Sequence, residues 1–347
     1  MRYKLFGRSG LRVSELCLGT MTFGEEWGWG SSKDKSKQVF DAFVETGGNF
    51  IDTANRYTEG TSEKFVGEFV GSDRERFVIA TKYTLRERAN DVNSSGNHRK
   101  NMVQSLEASL KRLGTDYIDL YWVHAWDYLT PVEEVMRALD DMVRAGKLLY
   151  IGVSDTPAWI VSQANTLASL RGWTPFTGLQ IEYSLVERTP ERELLPMAKS
   201  LDIAVTPWSI LGAGILSGKY NDRNKQTLQS ADARLSEKSI KLNERNFEIA
   251  AEVKTIADEI GCTPSQVAIK WLQQQPGLII PIIGARTLKQ LKDNIGCLEI
   301  QLTGEHLKRL DDVSMIDLGF PHEFLSKDNI RELVQGDRFR DIDNHRA

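Results

Sequence analysis

Four ionisable residues of different chemistry stand at or just beyond the ends of three consecutive strand-like runs. Asp52 ends the second apolar run of the chain and Tyr57 follows it by five residues, while Lys82 ends the third run and His124 the fourth. Each has an ordinary structural role when it occurs alone. Their shared position at strand ends is the observation that points to chemistry.

This set of side chains suits acid–base chemistry on a carbonyl group. A tyrosine with an unperturbed pKa of about 10 exchanges its proton poorly at neutral pH, and a nearby cation such as Lys82 lowers that pKa. Asp52 would pair with Lys82 and hold it in place. Tyr57 could then protonate a developing alkoxide, while a neutral His124 donates a hydrogen bond that orients the carbonyl.

Eight short runs rich in β-branched and aromatic residues alternate with helical patterns, which predicts a parallel α/β fold. The predicted strands are Glu15–Gly19, Asn49–Thr53, Phe77–Lys82, Tyr117–Val123, Leu149–Ser154, Gly178–Tyr183, Ile203–Trp208 and Ile279–Ile283. The first predicted helices are Asp34–Thr46, Asn101–Leu113, Pro131–Ala145 and Pro157–Leu170. Eight units favour a closed (β/α)8 TIM barrel, whose C-terminal strand ends carry catalytic groups. An open doubly wound sheet is the alternative.

The remaining segments are predicted to lie outside the eight strand–helix units of this barrel. Residues 3–13 predict an N-terminal hairpin that serves as a plug or a flap. A long insertion between strands seven and eight, 210–278, contains a Gly-rich loop and a polar segment, 221–239, whose composition is compatible with mobility. Further predicted helices are Asn243–Ile260, Ser265–Gln274, Thr287–Gly296 and Glu305–Met315, followed by an irregular tail. Residues 1–347 are predicted to form a single domain.

Composition excludes several classes of function. The net charge of −4, from 44 basic and 48 acidic residues, gives no reason to expect nucleic acid or an anionic membrane as a partner. Three scattered cysteines predict free thiols in a reducing compartment. No signal peptide and no apolar run of about 20 residues is present. We therefore expect a cytoplasmic protein without membrane segments.

Several familiar motifs are incomplete or absent. Gly212–Lys219 resembles a phosphate-binding loop, but Ala213 and Tyr220 stand where a Walker motif needs Gly and Ser or Thr. The first strand is not followed by an open-sheet dinucleotide fingerprint. Metal-ligand spacings and a Gly-x-Ser-x-Gly elbow are absent, so no metal is predicted.

The tetrad of Asp52, Tyr57, Lys82 and His124 resembles that of the aldo-keto reductase superfamily, and the likeness extends over nearly the whole chain. It includes the segments Leu18–Gly24, Asn49–Ala54, Gly152–Ser154 and Pro281–Arg286. The segment Tyr121–Asp127 is most similar to the aryl-alcohol-dehydrogenase-like branch.

The resemblance implies a cofactor, NADPH or NADP, across the same barrel mouth. Matching positions imply these cofactor-binding residues: Gly19, Thr20, Met21, Asp52, Ser154, Asp155, Gln180, Trp208, Ser209, Leu211, Gly214, Leu216, Ser217, Gly218, Lys219, Gly284, Arg286, Gln290, Asp293 and Asn294.

The implied roles agree with the chemistry of the residues. Ser154 and Gln180 would hydrogen-bond the nicotinamide carboxamide, and Trp208 would stack on the ring. The loop 209–219 would wrap the pyrophosphate, with glycines for close approach. Arg286 would bind a 2′-phosphate. At the position of Asp155 the family often has Asn. A carboxylate can accept a hydrogen bond from the carboxamide NH2, but it lacks the donors of an amide, so Asp155 departs from the family pattern in its chemistry.

Aromatic residues predict the substrate site. Its candidate wall consists of Trp27, Trp29, Tyr83 and Trp126. The implied function is NADPH-dependent reduction of aldehydes or ketones, with an aryl or apolar aldehyde as the small-molecule partner and Tyr57 as the acid. One alternative is a potassium-channel β-subunit-like binding protein, and another is a barrel isomerase or lyase without nicotinamide. The sequence predicts neither the individual carbonyl substrate nor the oligomeric state.

Overall fold

Eight parallel strands form a closed ring in the computed structural model, which describes residues 1–219 and 239–343. The strands pair in the order β10-β3-β4-β5-β6-β7-β8-β9, and a parallel bridge between Val205 and Ile279 joins the last strand to the segment before β10. The barrel is confirmed, and the open sheet is excluded. The strands are β3 (Cys17–Gly19), β4 (Phe50–Asp52), β5 (Val78–Tyr83), β6 (Ile118–Val123), β7 (Leu148–Ser154), β8 (Phe176–Glu182), β9 (Ala204–Trp208) and β10 (Ile282–Gly284).

The N-terminal hairpin plugs the barrel at the end opposite the candidate site. Strands β1 (Tyr3–Leu5) and β2 (Arg12–Ser14) are antiparallel, and the buried Phe6 follows β1. The Phe6 ring contacts Phe50 edge-on at 5.6 Å between centroids and Trp122 at 6.4 Å. Since Phe50 begins β4, the plug fills the N-terminal end and leaves the C-terminal mouth open to other groups. The N-terminal hairpin is therefore a plug and not a flap.

Twelve helices are present in the described part of the chain. They are α1 (Lys33–Glu45), α2 (Thr61–Val70), α3 (Arg99–Leu113), α4 (Val132–Arg144), α5 (Ala158–Arg171), α6 (Leu194–Ser200), α7 (Glu244–Ile260), α8 (Pro264–Gln273), α9 (Leu288–Ile295), α10 (Gly304–Ser314), α11 (His322–Ser326) and α12 (Asp328–Gln335). No helix within residues 1–219 and 239–343 is long and apolar enough to cross a membrane.

The structure corrects some predicted boundaries. Pro131 and Pro157 cap α4 and α5 with non-helical ψ values of 142° and 143°, so each helix begins one residue later than predicted. Helices α2 and α6 were not predicted. The tail is not irregular, since it contains α11 and α12. Neither of these buries a residue, so no core-facing pattern marked them in the sequence. The polar segment from 221 to 238 lies outside the described residues.

Alternation along the strands decides which side chains enter the barrel. In β5, Val78 and Ala80 join the interior cluster, while Ile79 and Tyr83 face the helix layer. Leu120 and Trp122 of β6 are also interior. Because side chains alternate with a period of two, Lys82 and His124 continue the interior rows of their strands. Asp52 does the same two residues after the interior Phe50.

Candidate active site

The barrel brings Asp52, Tyr57 and Lys82 into direct contact. Lys82 Nζ donates to Asp52 Oδ2 at 2.5 Å, to the Thr53 carbonyl at 2.7 Å and to the Tyr57 hydroxyl at 3.0 Å. The residues Asp52 and Lys82 are almost fully buried. Three acceptors thus use all three ammonium donors, which fixes the position of this cation.

Charges around Lys82 keep it protonated. Burial alone would lower the pKa of Lys82, but the Asp52 carboxylate and Tyr57 outweigh that effect and the net direction is upward. Removing one partner of such a buried pair leaves an uncompensated charge, which typically costs about 3–5 kcal/mol. The pair is therefore a permanent feature of the site at neutral pH.

Tyr57 is protonated at neutral pH. Burial raises the pKa of Tyr57 above its usual value of 10.0, and Asp52 raises it further, although Lys82 acts in the opposite direction. The expectation that Lys82 lowers the pKa of Tyr57 overall is therefore wrong for this structure, because desolvation of the phenolate has the larger effect on that pKa. The phenol is in the form that can donate a proton.

His124 completes the tetrad as a neutral imidazole. Its ring lies edge-on to Tyr57 with centroids 6.0 Å apart. Burial, together with the charge of Lys82, lowers the pKa of His124 well below 6.5. Its Nδ1 is buried and has no hydrogen-bond partner among residues 1–219 and 239–343. A buried ring nitrogen without a partner is available to a ligand, and the neutral ring can donate one N–H.

Gln180 and Asp155, two of the predicted carboxamide contacts, already bond to the protein. Gln180 Nε2 donates to Asp52 Oδ1 at 3.0 Å, which leaves its carbonyl oxygen for a ligand. Asp155 Oδ1 accepts from Trp208 Nε1 at 3.2 Å. Burial of the carboxyl, partly offset by this hydrogen bond, raises the pKa of Asp155 to about 6. Ser154 is buried beside them at the end of β7.

The Gly-rich loop after β9 has the backbone of an anion cradle. Positive φ values occur at Ser209 (56°), Ala213 (56°), Gly212 (55°), Gly214 (102°) and Gly218 (81°). Left-handed residues interspersed in a turn can turn N–H groups toward phosphate oxygens. In this loop the N–H groups of Gly212, Gly214 and Leu216 donate to backbone carbonyls, which leaves the other N–H groups for such a contact. Of the other predicted loop contacts, Leu216 is buried and Leu211 half-buried, and Ser217 Oγ donates to the Gly214 carbonyl at 2.7 Å. Lys219 ends the described part of this loop.

Arg286 immediately precedes the cap of α9. Thr287 caps the helix by accepting from the Gln290 N–H, and Gln290 Oε1 accepts from the Arg286 N–H at 2.8 Å. Asn294 Nδ2 donates to the Gly284 carbonyl at 3.2 Å, while Asp293 accepts from Gln266. A guanidinium beside a helix N-terminus suits an anion.

At the end of β3, Gly19 and Thr20 adjoin the tetrad. Gly19 pairs in register with Asp52, and the Thr20 hydroxyl donates to the Asp52 carbonyl at 2.9 Å. A Cβ on Gly19 would lie 2.6 Å from Ile282 Cγ2, so a larger residue does not fit. Met21, the next residue, is exposed beside them.

Of the four predicted substrate-wall residues, Trp27 contacts the tetrad and Trp29 contacts Trp27. The ring of Trp27 is edge-on to Tyr57 at 6.5 Å, and Trp29 lies 5.6 Å from Trp27. Trp126 is nearly buried and borders a side pocket with Thr84 and His98, so its place in the substrate site stays a prediction.

Tyr83 does not line the mouth. It is fully buried, stacks on Tyr121 at 5.4 Å and donates to the Asn97 carbonyl. The physical reason is strand alternation, because Tyr83 adjoins Lys82 and must face the opposite side of the sheet. Its assignment to the pocket is corrected.

Sequence reasoning missed three groups that hold the site together. The Thr53 carbonyl accepts from Lys82, the Thr84 hydroxyl accepts from the main-chain N–H of His124 at 3.3 Å, and the Glu59 carboxylate accepts from Trp27 Nε1. A main-chain acceptor leaves no signal in the residue type. The position of Glu59 two residues after Tyr57 was the only available hint.

Comparison with known proteins agrees with this geometry. A sequence model of the Aldo/keto reductase family matches residues 15–315. The chain is 40% identical over 332 residues to a norsolorinic acid reductase of Aspergillus flavus, spanning 92% of this chain and 83% of that protein. It is 38% identical over 329 residues to an NADP(+) aryl-alcohol dehydrogenase of Phanerodontia chrysosporium, spanning 90% and 86%. The resemblance inferred from the sequence is confirmed, and the chain belongs to the aldo/keto reductase family.

Proposed function

We propose that this protein is an NADPH-dependent reductase of aldehydes or ketones in which Tyr57 is the general acid. The observation that carries the proposal is the Lys82 ammonium shared between Asp52 and Tyr57, with the neutral His124 ring beside the phenol. A protonated phenol can give its proton to an oxygen that gains negative charge. Lys82 then stabilises the phenolate that remains, which burial alone would disfavour.

The residues present fit a nicotinamide dinucleotide. The loop 209–219 has a left-handed backbone suited to phosphate oxygens, Arg286 adds a cation, and Trp208 presents an indole at the end of β9. The bound nicotinamide would supply a hydride to the carbonyl carbon. The protein residues would orient the carbonyl through His124, donate the proton from Tyr57 and keep that proton donor aligned through Lys82.

An aryl or apolar aldehyde is the proposed substrate class. Trp27 lies beside Tyr57 and Trp29 lies beside Trp27, so the reacting oxygen would enter next to a flat apolar surface. A relative named as an aryl-alcohol dehydrogenase supports an aryl substrate, and one named as a reductase supports reduction. Aromatic contacts of this kind favour flat ligands by about 0.5–1.5 kcal/mol beyond area burial.

The test is an NADPH titration followed by turnover on a panel of aryl and alkyl aldehydes. Tyr57→Phe keeps the ring but removes the proton donor, so kcat should fall by about 10²–10⁴-fold while NADPH affinity changes little. Tyr128→Phe is the matched control at an exposed tyrosine and should keep the original rate. Near-normal turnover in Tyr57→Phe, or no NADPH binding by the unmodified protein, would overturn the proposal.

A further inference from the structure

The loop between β3 and α1 is held rigidly at its neck. We name residues 22–31 the aromatic loop, since it carries Trp27 and Trp29. Its two ends are joined by backbone hydrogen bonds from Gly24 N to the Ser31 carbonyl at 3.0 Å and from Ser31 N to the Thr22 carbonyl at 2.8 Å. Side-chain hydroxyls at the same neck donate to the Ala285 and Arg286 carbonyls. The loop is thus a closed unit anchored to the barrel.

A second set of contacts ties the aromatic loop to the turn that follows Tyr57. The buried Thr58 hydroxyl donates to the Phe23 carbonyl at 2.6 Å, and the Thr61 hydroxyl donates to the Glu26 carboxylate. A Cβ on Gly24 would lie 2.6 Å from Thr58 Oγ1, so the two segments touch closely. The proposed proton donor and the aromatic loop therefore form one packed assembly.

Glu59, an exposed residue of this assembly, has a strained backbone conformation. Thr58 and Glu59 have φ values of 45° and 56°, and consecutive left-handed residues other than Gly are uncommon and carry a conformational cost. The Glu59 carboxylate accepts from Trp27 Nε1 at 3.1 Å and pairs with the Arg56 guanidinium. Arg56 thus holds the carboxylate that binds Trp27 Nε1, and the Trp27 ring stands at 80° to the Tyr57 ring.

We propose that Glu59 is a positioning residue for substrate selection: it holds Trp27 upright beside Tyr57, so that the indole forms a fixed wall for the flat ring of an aryl carbonyl substrate. Arg56 in turn holds Glu59. The inference rests on the proposed function and deepens it, because it assigns the preference for aryl over alkyl carbonyls to one hydrogen bond outside the tetrad.

The charge balance supports this role. Trp27 and Trp29 contact each other with ring planes tilted by 37°, so the shape of their shared apolar surface depends on the orientation of Trp27. Arg56 pairs with Glu59, so the carboxylate that holds Trp27 adds no net charge next to the ring. The Trp27–Glu59 hydrogen bond is exposed, so an indole N–H that loses this acceptor would bond to water, and the ring would no longer be held in one orientation.

The experiment compares Glu59→Gln with Glu59→Ala. Both replacements keep a residue with a Cβ at the left-handed position, so their backbone strain is similar. Gln keeps a carbonyl acceptor for Trp27 and Ala removes it. The measurement is kcat and KM with NADPH for benzaldehyde and for an aliphatic aldehyde of similar size, and Glu25→Ala is the control at an exposed carboxylate of the same loop.

We expect Glu59→Ala to lower the ratio of kcat/KM for benzaldehyde over the alkyl aldehyde by about threefold to tenfold, the size of one aromatic contact. The loss should appear mainly as a higher KM for benzaldehyde. Glu59→Gln should restore most of the ratio, and Glu25→Ala should keep it.

The outcomes separate this inference from the proposed function. An unchanged ratio in Glu59→Ala, or an equal loss of kcat for both aldehydes that Gln does not restore, would overturn the positioning role while the reductase assignment stands. Absence of turnover on both aldehydes in the unmodified protein would overturn the proposed function itself. Trp27→Phe provides an independent check, because it keeps a ring but removes the N–H and should shift the ratio in the same direction as Glu59→Ala.

Discussion

Gln180 Nε2 donates a 3.0 Å hydrogen bond to Asp52 Oδ1 across the mouth of the barrel. The two residues are 128 positions apart, and their strands β8 and β4 stand on opposite sides of the ring. Since Asp52 Oδ2 already accepts from Lys82, both carboxylate oxygens are bonded. The carboxylate that fixes Lys82 is therefore itself fixed from the far side of the barrel.

This bond predicts a pH-dependent defect in Gln180→Glu. A second carboxylate about 3 Å from Asp52 disfavours ionisation of both groups, so the pKa of one of the pair is raised and that carboxyl takes up a proton as the pH falls. Turnover should be low at pH 8 and recover toward pH 5, where one carboxyl is protonated and can donate to the other. Gln180→Leu, which cannot donate at any pH, should lack this recovery. A parallel pH profile in the two variants would contradict the prediction.

The buried pair of Lys82 and Asp52 predicts strong coupling in stability. Lys82→Met leaves the Asp52 charge without its partner and should lower the free energy of unfolding by about 3–5 kcal/mol. Adding Asp52→Asn removes that charge, so the double variant should be destabilised by clearly less than the sum of the single variants. Urea denaturation of all four proteins measures the coupling. Additivity within about 0.5 kcal/mol would show that the pair is not coupled.

The raised pKa of Tyr57 predicts different pH profiles for the two reaction directions. Reduction uses the protonated phenol, which persists through pH 6 to 9 because its pKa lies above 10. Oxidation of an alcohol needs the phenolate, whose fraction rises about tenfold per pH unit below the pKa. Steady-state rates should therefore be flat for reduction and rise with pH for oxidation. A loss of reduction between pH 7 and 9 would indicate a lower pKa.

Asp155 predicts a stability difference that grows with pH. Its pKa is about 6 in the folded protein against 3.8 for an ordinary Asp, so between these values the folded state holds a proton that the unfolded state has lost. Stability therefore falls as pH rises through this window. The Asp155→Asn variant has no carboxyl to titrate at this position. Its unfolding temperature should therefore exceed that of the unmodified protein by an amount that increases from pH 4 to 6 and then levels off. A constant difference across that range would refute the assignment.

Arg286 predicts the choice of cofactor. A guanidinium bound to a 2′-phosphate contributes about 1.5–3 kcal/mol, as do other hydrogen bonds between charged groups. Arg286→Ala should weaken NADPH binding by about tenfold or more while NADH, which lacks that phosphate, changes little. Fluorescence titration with both cofactors gives the two affinities. Equal affinities in the unmodified protein would contradict a 2′-phosphate site at Arg286.

The comparison of Lys82 with Tyr83 shows what sequence patterns can and cannot predict. Both residues end the same strand, and the sequence placed both at the mouth. Because side chains alternate along the strand, Lys82 faces the barrel interior and Tyr83 faces the helix layer. There Tyr83 stacks on Tyr121 of β6. The strand was predicted correctly, and alternation puts Tyr83 on the face opposite Lys82 once the packed barrel shows that Lys82 faces the interior.

By itself, the sequence determined the barrel and most of its strand and helix alternation, and it predicted the four residues of the tetrad, because apolar periodicity and residue type are local properties. Only the tertiary structure decided that burial changes the pKa of Tyr57 more than Lys82 does, that Gln180 donates to Asp52, and that Glu59 accepts from Trp27. Each of these depends on distances between residues far apart in the fold or on exclusion of water. Solvation and cross-barrel contacts are properties of the packed chain, so residue order alone does not specify them.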